Sequence, residues 1–316
     1  MNYSIIVPFF NEQDNIFQIN EEIKHITAEY SLDSNRNFEI IYVDDGSEDN
    51  TFEELKKTKS NKCKTKIIRH NKNYSQSSAI LTGIKFSIYD NLIFLDGDCQ
   101  NDPKDIGKMI EIYEEGCDVV NGWRKDRKDS FFSKTLPSKL ANFMVRLFTK
   151  SKLHDHGCSL KILKKDIVDY KITWGDFHRL LSARVSYDNW KIKEVVVNHR
   201  PRVHGKSNYS INRIFRVLID LIYINFFRNS VRPTIYFFGK FGLWSFFGAI
   251  LTFLYMIYNK FYNGVDLDGT PLPILIVFLV FIGFLFLFIG LLAQLIINIS
   301  SNDKNLDNVI RETEEN

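Results

Sequence analysis

Two long apolar runs near the C-terminal end constrain this chain more than anything else in it. Leu272 to Ile297 holds 26 residues without a formal charge, long enough to cross a bilayer as a helix. Ile235 to Tyr258 is of spanning length too and carries only Lys240, close to its start. Ahead of them lie roughly 230 residues in which short apolar strands alternate with helix-like stretches, too many for an anchor and enough for one sizeable core. The expectation is an α/β domain held at a membrane by a two-helix hairpin, working on something found at that membrane.

Charge sharpens this picture. Forty-one basic against 38 acidic residues leave a net charge of +3, which argues for no nucleic-acid partner, and the front part of the chain has no basic, aromatic-interleaved stretch. The local excess of base at Arg200, Arg202, Lys206, Arg213, Arg216, Arg228 and Arg232 adjoins the first apolar run, where anionic lipid headgroups would meet it. Arg228, Arg232 and Lys240 flank the first run and Lys304 and Arg311 follow the second, so the positive-inside tendency puts both ends of the chain in the cytoplasm at an inner or plasma membrane. The opening MNYSIIVPFFNE lacks a basic n-region and is not expected to act as a signal peptide. Cys63, Cys99, Cys117 and Cys158 are widely spaced, without a CxxC, and are expected to stay thiols.

Strands are expected at 3–9, 38–43, 65–69, 91–95 and near 117–122, with helices through about 30, at 51–58 and at 75–88. Such alternation predicts a parallel sheet with helices on both faces, and ligands beyond the carboxyl ends of its strands. The strands ending near 9, 43 and 95 each open onto a polar or acidic loop, which marks that edge. The stretch 138–150 has a helical apolar stripe (Leu140, Phe143, Met144, Leu147, Phe148) that suits either a core helix or one lying on a membrane, and 209–227 favours the membrane surface. The last residues, DNVIRETEEN, read as a short solvated tail.

The most chemically loaded segment is LDGDCQNDP. Asp96 and Asp98 stand at i and i+2 just past a buried strand, where both can turn toward one hard cation, and Gly97 between them would leave room for a ligand against the backbone. Mg²⁺ or Mn²⁺ suits such a pair, since it completes its shell with phosphate oxygens and water. A second acidic turn, VDDGSEDNT, follows the strand at 38–43. Its Gly46 and Asp49–Thr51 suit a turn and a helix cap, but two carboxylates, Asp44 and Asp45, also suit the donors of a nucleotide base or ribose.

These segments carry a resemblance. IIVPFFNEQDNI, EIIYVDDGSEDNT, FLDGDCQNDP, NGWRKDRKD, DHGCSLK, HR and PRVHGKSNY occur in this order and together resemble family-2 glycosyltransferases of the polyprenyl-phosphate type, among them dolichyl-phosphate mannose synthases and bactoprenyl-phosphate glycosyltransferases. The resemblance implies a GT-A (Rossmann-like) nucleotide-sugar domain over 1–206, with 138–150 as an interfacial-helix candidate. It further implies a juxtamembrane amphipathic helix at 207–232, membrane helices at 235–258 and 272–297, and a cytoplasmic tail at 298–316. A nucleotide-sugar donor, a divalent metal (Mg²⁺ or Mn²⁺), a polyprenyl-phosphate acceptor and the lipid bilayer come with it, and a homo-oligomer is compatible.

Matched residue by residue, the resemblance places Pro8, Phe10 and Glu12, with Asp44 and Asp45, around the base and ribose; Phe10 stands where relatives often have Tyr. Asp96, Gly97 and Asp98 would meet the metal and diphosphate, with Gln100 a further metal ligand. Arg124 would neutralise donor phosphates or the leaving group, and Arg202, helped by Lys206 or Asn208, would lie on a loop closing over the nucleotide. Lys134 and Ser138 would hold the lipid phosphate, Lys134 in place of the Arg of some members. His178–Arg179 matches a recurrent pair. Asp155 matches a carboxylate proposed as base or substrate positioner, and positioning is expected here, because a lipid monophosphate is already an oxyanion near neutral pH. His154 and His156 beside it read as loop histidines rather than metal ligands. Direct displacement would invert the anomeric centre. The competing expectations are a family-2 transferase with a non-polyprenyl acceptor and a non-catalytic membrane partner; the intact Asp96/Asp98 pair weighs against the second.

Overall fold

The computed structural model describes residues 1–32, 36–58, 63–126, 142–146, 151–168, 181–182, 185, 190–201, 234–266, 269–300 and 310–315. Two compact units result, one of residues 1–224 with 305–316 and one of residues 225–304.

The first unit is built on an eight-stranded sheet. In chain order its strands are β1 (Asn2–Phe9), β2 (Asn37–Asp44), β3 (Lys64–His70), β4 (Asn91–Phe94), β5 (Val119–Trp123), β6 (Lys161–Lys164), β7 (Ile192–Val196) and β8 (Ile310–Glu315). Their spatial order is β7-β5-β6-β4-β1-β2-β3-β8. β4, β1, β2 and β3 run parallel, with Ile6 beside Phe94 and Phe9 beside Asp44. The sheet is nevertheless mixed, not parallel throughout: β6 is antiparallel to β4 and β5, and β8 is antiparallel to β3. The apolar pattern does not reveal β6, because lysines bracket its four residues. Nor does it reveal β8, whose sequence IRETEE reads as solvated although Lys66 and Arg69 of β3 stand beside Glu315 and Glu312 in register.

Helices α1 (Ile16–Leu32), α2 (Thr51–Lys56), α3 (Gln76–Phe86) and α4 (Asp105–Glu114) cover both faces, as parallel crossovers require. Along β1 the side chains alternate between two cores. Tyr3, Ile5, Val7 and Phe9 pack with Ile16, Ile19 and Ile23 of α1 and Met109 and Ile110 of α4. Ile6 packs on the opposite side with Ala79, Ile80 and Ile84 of α3. Each fully buried aliphatic side chain contributes about 1.5–3 kcal/mol, so this doubly covered strand is the spine of the unit. All four cysteines are free, Cys99, Cys117 and Cys158 being buried. In the helical piece 142–146, Val145 is buried and Phe143 exposed, an amphipathic arrangement.

The second unit is a hairpin of α5 (Thr234–Asn263) and α6 (Leu272–Ser300), six and three residues longer than the expected spans. Stretches of 28 and 25 residues within them are long and apolar enough to cross a membrane, and only 11% of each most apolar window is buried inside the protein. Such outward-facing phenylalanines and leucines need an apolar solvent. The helices meet where bulk is missing. A Cβ on Gly242 would lie 2.9 Å from the Gly283 carbonyl oxygen, and one on Gly283 would lie 2.6 Å from the Phe246 ring. The Ser245 hydroxyl donates to the Leu279 carbonyl at 2.6 Å. Close backbone approach through small residues is how helices associate where no hydrophobic effect acts between them. Gly283→Leu is therefore expected to lower hairpin stability by about 1–3 kcal/mol, the usual cost of overpacking. Gly248→Ala, whose added Cβ finds nothing nearer than 3.8 Å, should be close to neutral; thermal unfolding in detergent compares the two.

Candidate active site

Strand direction assembles the site. The C-terminal ends of β1, β2, β3 and β4 share one edge of the sheet, and β5 and β7, parallel to them through the reversed β6, end there as well. β6 begins at that edge, so the turn leading into it, residues 155–160, lies there too. Every described site candidate sits on one of these ends.

On the β1–β2 side, Pro8 is buried in the strand and Phe10 emerges 37% exposed. Asn11 takes a left-handed conformation (φ 54°). Its amide donates to the Ser47 hydroxyl at 2.9 Å while its side-chain oxygen accepts from the Glu48 amide at 2.9 Å, which ties the two loops together. Glu12 follows, its amide donating to the Thr51 hydroxyl at 3.0 Å. Asp44 and Asp45 are both buried but differ in what they do. Asp45 accepts from the amides of Tyr74 (3.0 Å) and Ser75 (2.8 Å) and from His70 Nδ1 (2.7 Å), with His70 Nε2 in turn 2.9 Å from the Thr82 hydroxyl. A carboxylate serving three internal donors is a latch between β2 and the loop into α3. Asp44 accepts from the Ser47 amide at 3.0 Å, and its Oδ2 lies 3.3 Å from Arg69 Nε but has no hydrogen-bond donor. Burial raises its carboxyl above the ordinary range, against the pull of Ser47 and Arg69. An orphaned acceptor at a strand end is the feature a nucleoside N–H or O–H would complete.

Beyond β4, Asp96 accepts from the Gln76 side-chain amide. Asp98 Oδ1 accepts from the Gln100 amide at 3.1 Å, an Asx turn that folds the loop on itself. Asp96, Asp98 and Gln100 are half-exposed. The space beside Gly97 is not left to a ligand on its Cβ side: a Cβ there would come within 2.5 Å of the Phe9 ring and 3.0 Å of the Pro8 carbonyl. Glycine is needed because β1 packs against this loop. Among the described residues no three His, Cys, Asp or Glu side chains converge as a closed metal cage. Two accessible carboxylates instead fit a hard divalent cation that keeps positions for phosphate and water.

Across the edge, Arg124 and Asp155 form a bidentate pair, Nε to Oδ2 at 2.8 Å and Nη2 to Oδ1 at 3.0 Å. The side chains are 12% and 5% exposed. Burial disfavours the guanidinium charge, yet Asp155 holds it more firmly protonated than an ordinary arginine, with a smaller contribution from Asp96. Asp155 itself is held by the Gly157 amide at 3.1 Å, and its own amide donates to Glu194 at 3.0 Å. Its geometry is that of a residue orienting Arg124. His154 stacks on Trp123 at 4.3 Å and reaches Glu194 at 2.7 Å. His156 is buried without a partner for either ring nitrogen, and burial lowers it to about 3, so it is neutral.

Arg200 completes the edge. It grips Glu22 at 2.8 Å and Asp102 at 2.6 Å, and its amide donates to the Gln100 carbonyl at 2.8 Å. The segment leading to Arg202 is thereby pinned to the loop that carries Asp98. Arg202, Lys206, Asn208, Lys134, Ser138, His178 and Arg179 lie outside the described residues, as does 209–227. Sequence reasoning passed over Arg69, His70, Gln76 and Lys161. The first two end a strand of the same parallel set, so the strand-end rule that found Asp44 and Asp96 applies to them; nothing local distinguishes Gln76 or Lys161.

Residues 4–170 match the family model described as Glycosyl transferase family 2. Over 301 residues, 94% of this chain and 88% of the relative, the sequence is 36% identical to a dodecaprenyl-phosphate galacturonate synthase of Rhizobium johnstonii. It is 31% identical over 292 residues, 92% of this chain and 84% of the relative, to an undecaprenyl-phosphate 4-deoxy-4-formamido-L-arabinose transferase of Pseudomonas savastanoi pv. phaseolicola. Among solved structures, glucosyl-3-phosphoglycerate synthase from Mycobacterium tuberculosis superposes with a TM-score of 0.54 at 14% identity, covering 71% of this chain and 79% of that one, a likeness of fold. With a matching family model over more than half its length and relatives aligned through both apolar helices, this chain belongs to glycosyl transferase family 2.

Proposed function

We propose that this enzyme transfers a sugar from a nucleotide-sugar to a polyprenyl phosphate, with inversion at the anomeric carbon, on the cytoplasmic face of the membrane. One observation carries it: the 36% identity to a polyprenyl-phosphate sugar transferase extends over 94% of the chain, the membrane hairpin included. The two relatives act on prenyl phosphates by name, and a lipid-linked acceptor explains why a soluble-type transferase domain carries a hairpin of this apolarity.

In this scheme Phe10, Glu12 and the Asp44 oxygen that has no hydrogen-bond donor receive the nucleoside, with Asp45 as the latch behind them. Family-2 transferases commonly use divalent metals, and Asp96, Asp98 and Gln100 would hold Mg²⁺ or Mn²⁺, which supplies positive charge to the donor diphosphate. Arg124, aimed by Asp155, stabilises the charge that develops on the departing diphosphate; its planar fork suits phosphate and its burial strengthens the interaction. The acceptor phosphate attacks without needing a strong base, so holding two anions side by side is the larger task. Lys134 and Ser138 are proposed for the lipid phosphate and Arg202 with Lys206 for closure over the nucleotide, from their places in the motifs. The pairing of β8 with β3 supports the topology, since a chain that leaves through two membrane helices and returns to the same sheet has both ends in one compartment.

The deciding assay mixes detergent-solubilised enzyme, undecaprenyl phosphate and radiolabelled UDP- and GDP-sugars and counts label in the organic phase. Label from one donor, lost with EDTA and in Asp98→Ala, is expected; label in water-soluble product alone would move the enzyme to another acceptor. Arg124→Lys keeps the charge but loses the fork, and should lower kcat by about 100-fold, in line with the loss of one transition-state donor. Asp155→Ala strands a buried guanidinium and should destabilise the catalytic unit by about 3–5 kcal/mol in urea unfolding.

A further inference from the structure

Lys161, the first residue of β6, is 1% exposed, a rare position for an ammonium group. In register it stands opposite Phe94 on β4 and Asn121 on β5, two residues before Asp96 and three before Arg124. It therefore lies in the sheet directly behind the two loops that carry the carboxylate pair and the arginine. Its Nζ donates to the His156 carbonyl at 3.1 Å. That carbonyl belongs to the turn that delivers Asp155, whose two oxygens hold Arg124. Asn121 secures the same turn from the neighbouring strand, donating to the Asp155 carbonyl at 2.8 Å, and is itself held by the Ser182 hydroxyl at 2.7 Å. Asp155, Arg124 and Asp96 all act electrostatically on the ammonium.

We propose that Lys161 is a positioning residue for sugar transfer: it ties the 155–158 turn to the sheet so that Asp155 presents Arg124 to the diphosphate of the donor. This rests on the assignment of the Arg124 edge as the donor phosphate site. A buried cation is a costly way to hold a turn. Burial pulls the ammonium down to about 8, so at neutral pH it stays charged against the preference of its surroundings. Methionine of similar volume costs the His156 carbonyl this donor but also relieves the desolvation of a buried ammonium, so a purely structural lysine and a positioning one predict different outcomes.

The test compares full-length wild type, Lys161→Met and Lys161→Arg in detergent. Three quantities are read: thermal midpoint, transfer kinetics, and affinity for UDP or GDP against that for the matching nucleoside, with Mn²⁺ present. The expected result for Lys161→Met is a midpoint within a few degrees of wild type, a kcat at least 30-fold lower, and diphosphate affinity reduced about tenfold with nucleoside affinity unchanged. Lys161→Arg should recover part of the kcat. Either of two results would overturn the proposal: kcat and nucleotide affinity within twofold of wild type in Lys161→Met, or nucleoside and diphosphate binding lost together with a collapsed midpoint in both variants. Wild type that binds neither UDP nor GDP would instead remove the donor-site assignment, and the proposal with it.

Discussion

Parallel strand pairing is the constraint on which everything else rests. Four strands that run the same way must send their polypeptide out at one edge, and the loops at that edge collect whatever polar residues follow each apolar run. Asp44 closing β2 with Asp45 after it, His70 closing β3 and Asp96 after β4 come to one edge for this reason alone, across 52 residues of chain from Asp44 to Asp96. The antiparallel β6 then brings its own preceding turn to the same edge from the other direction. Two carboxylate-bearing loops and an arginine–carboxylate pair thus share one edge of the sheet without any of them being adjacent in sequence.

The carboxylates at this edge differ in how they are held. Asp45 has three internal donors and Asp155 has a bidentate arginine and a backbone amide, so both are committed to holding other groups in place. Asp44 keeps a buried oxygen without a hydrogen-bond donor, and Asp96 and Asp98 remain within reach of solvent. Such a division suits phosphate chemistry, in which little covalent work falls to the protein and preorganised charge does most of it. It also separates residues whose loss should unfold the unit from residues whose loss should silence it.

The hairpin follows different rules. Its helices meet through Gly242, Ser245 and Gly283, with large aromatic and aliphatic side chains turned outward. In water that surface would be a liability; in lipid it is the solvent-facing side. The C-terminal residues beyond it join the catalytic sheet as an edge strand, where acidic β8 lies along basic β3. A tail whose composition reads as solvated is ordered by pairing its backbone with an open sheet edge, a role to which hydropathy is blind.

Local chemistry determined a great deal about this protein. Runs of apolar residues found β1 to β5 to within two residues at either end, because a buried strand must be apolar along its length and a turn must follow it. Spanning helices were legible because a bilayer demands length and apolarity together, and the order of the motifs identified the family. Only the tertiary structure decided which side chains of a motif touch one another. Asp44 and Asp45 are adjacent and chemically identical, yet Asp45 is a latch and Asp44 keeps a buried oxygen without a hydrogen-bond donor. That difference depends on where His70, Tyr74 and Ser75 arrive from another part of the chain. Lys161 looks like a surface lysine until β4 and β5 close around it. Sequence carries composition and period; burial and partnership are properties of contacts between segments far apart in the chain, and those exist only once it has folded.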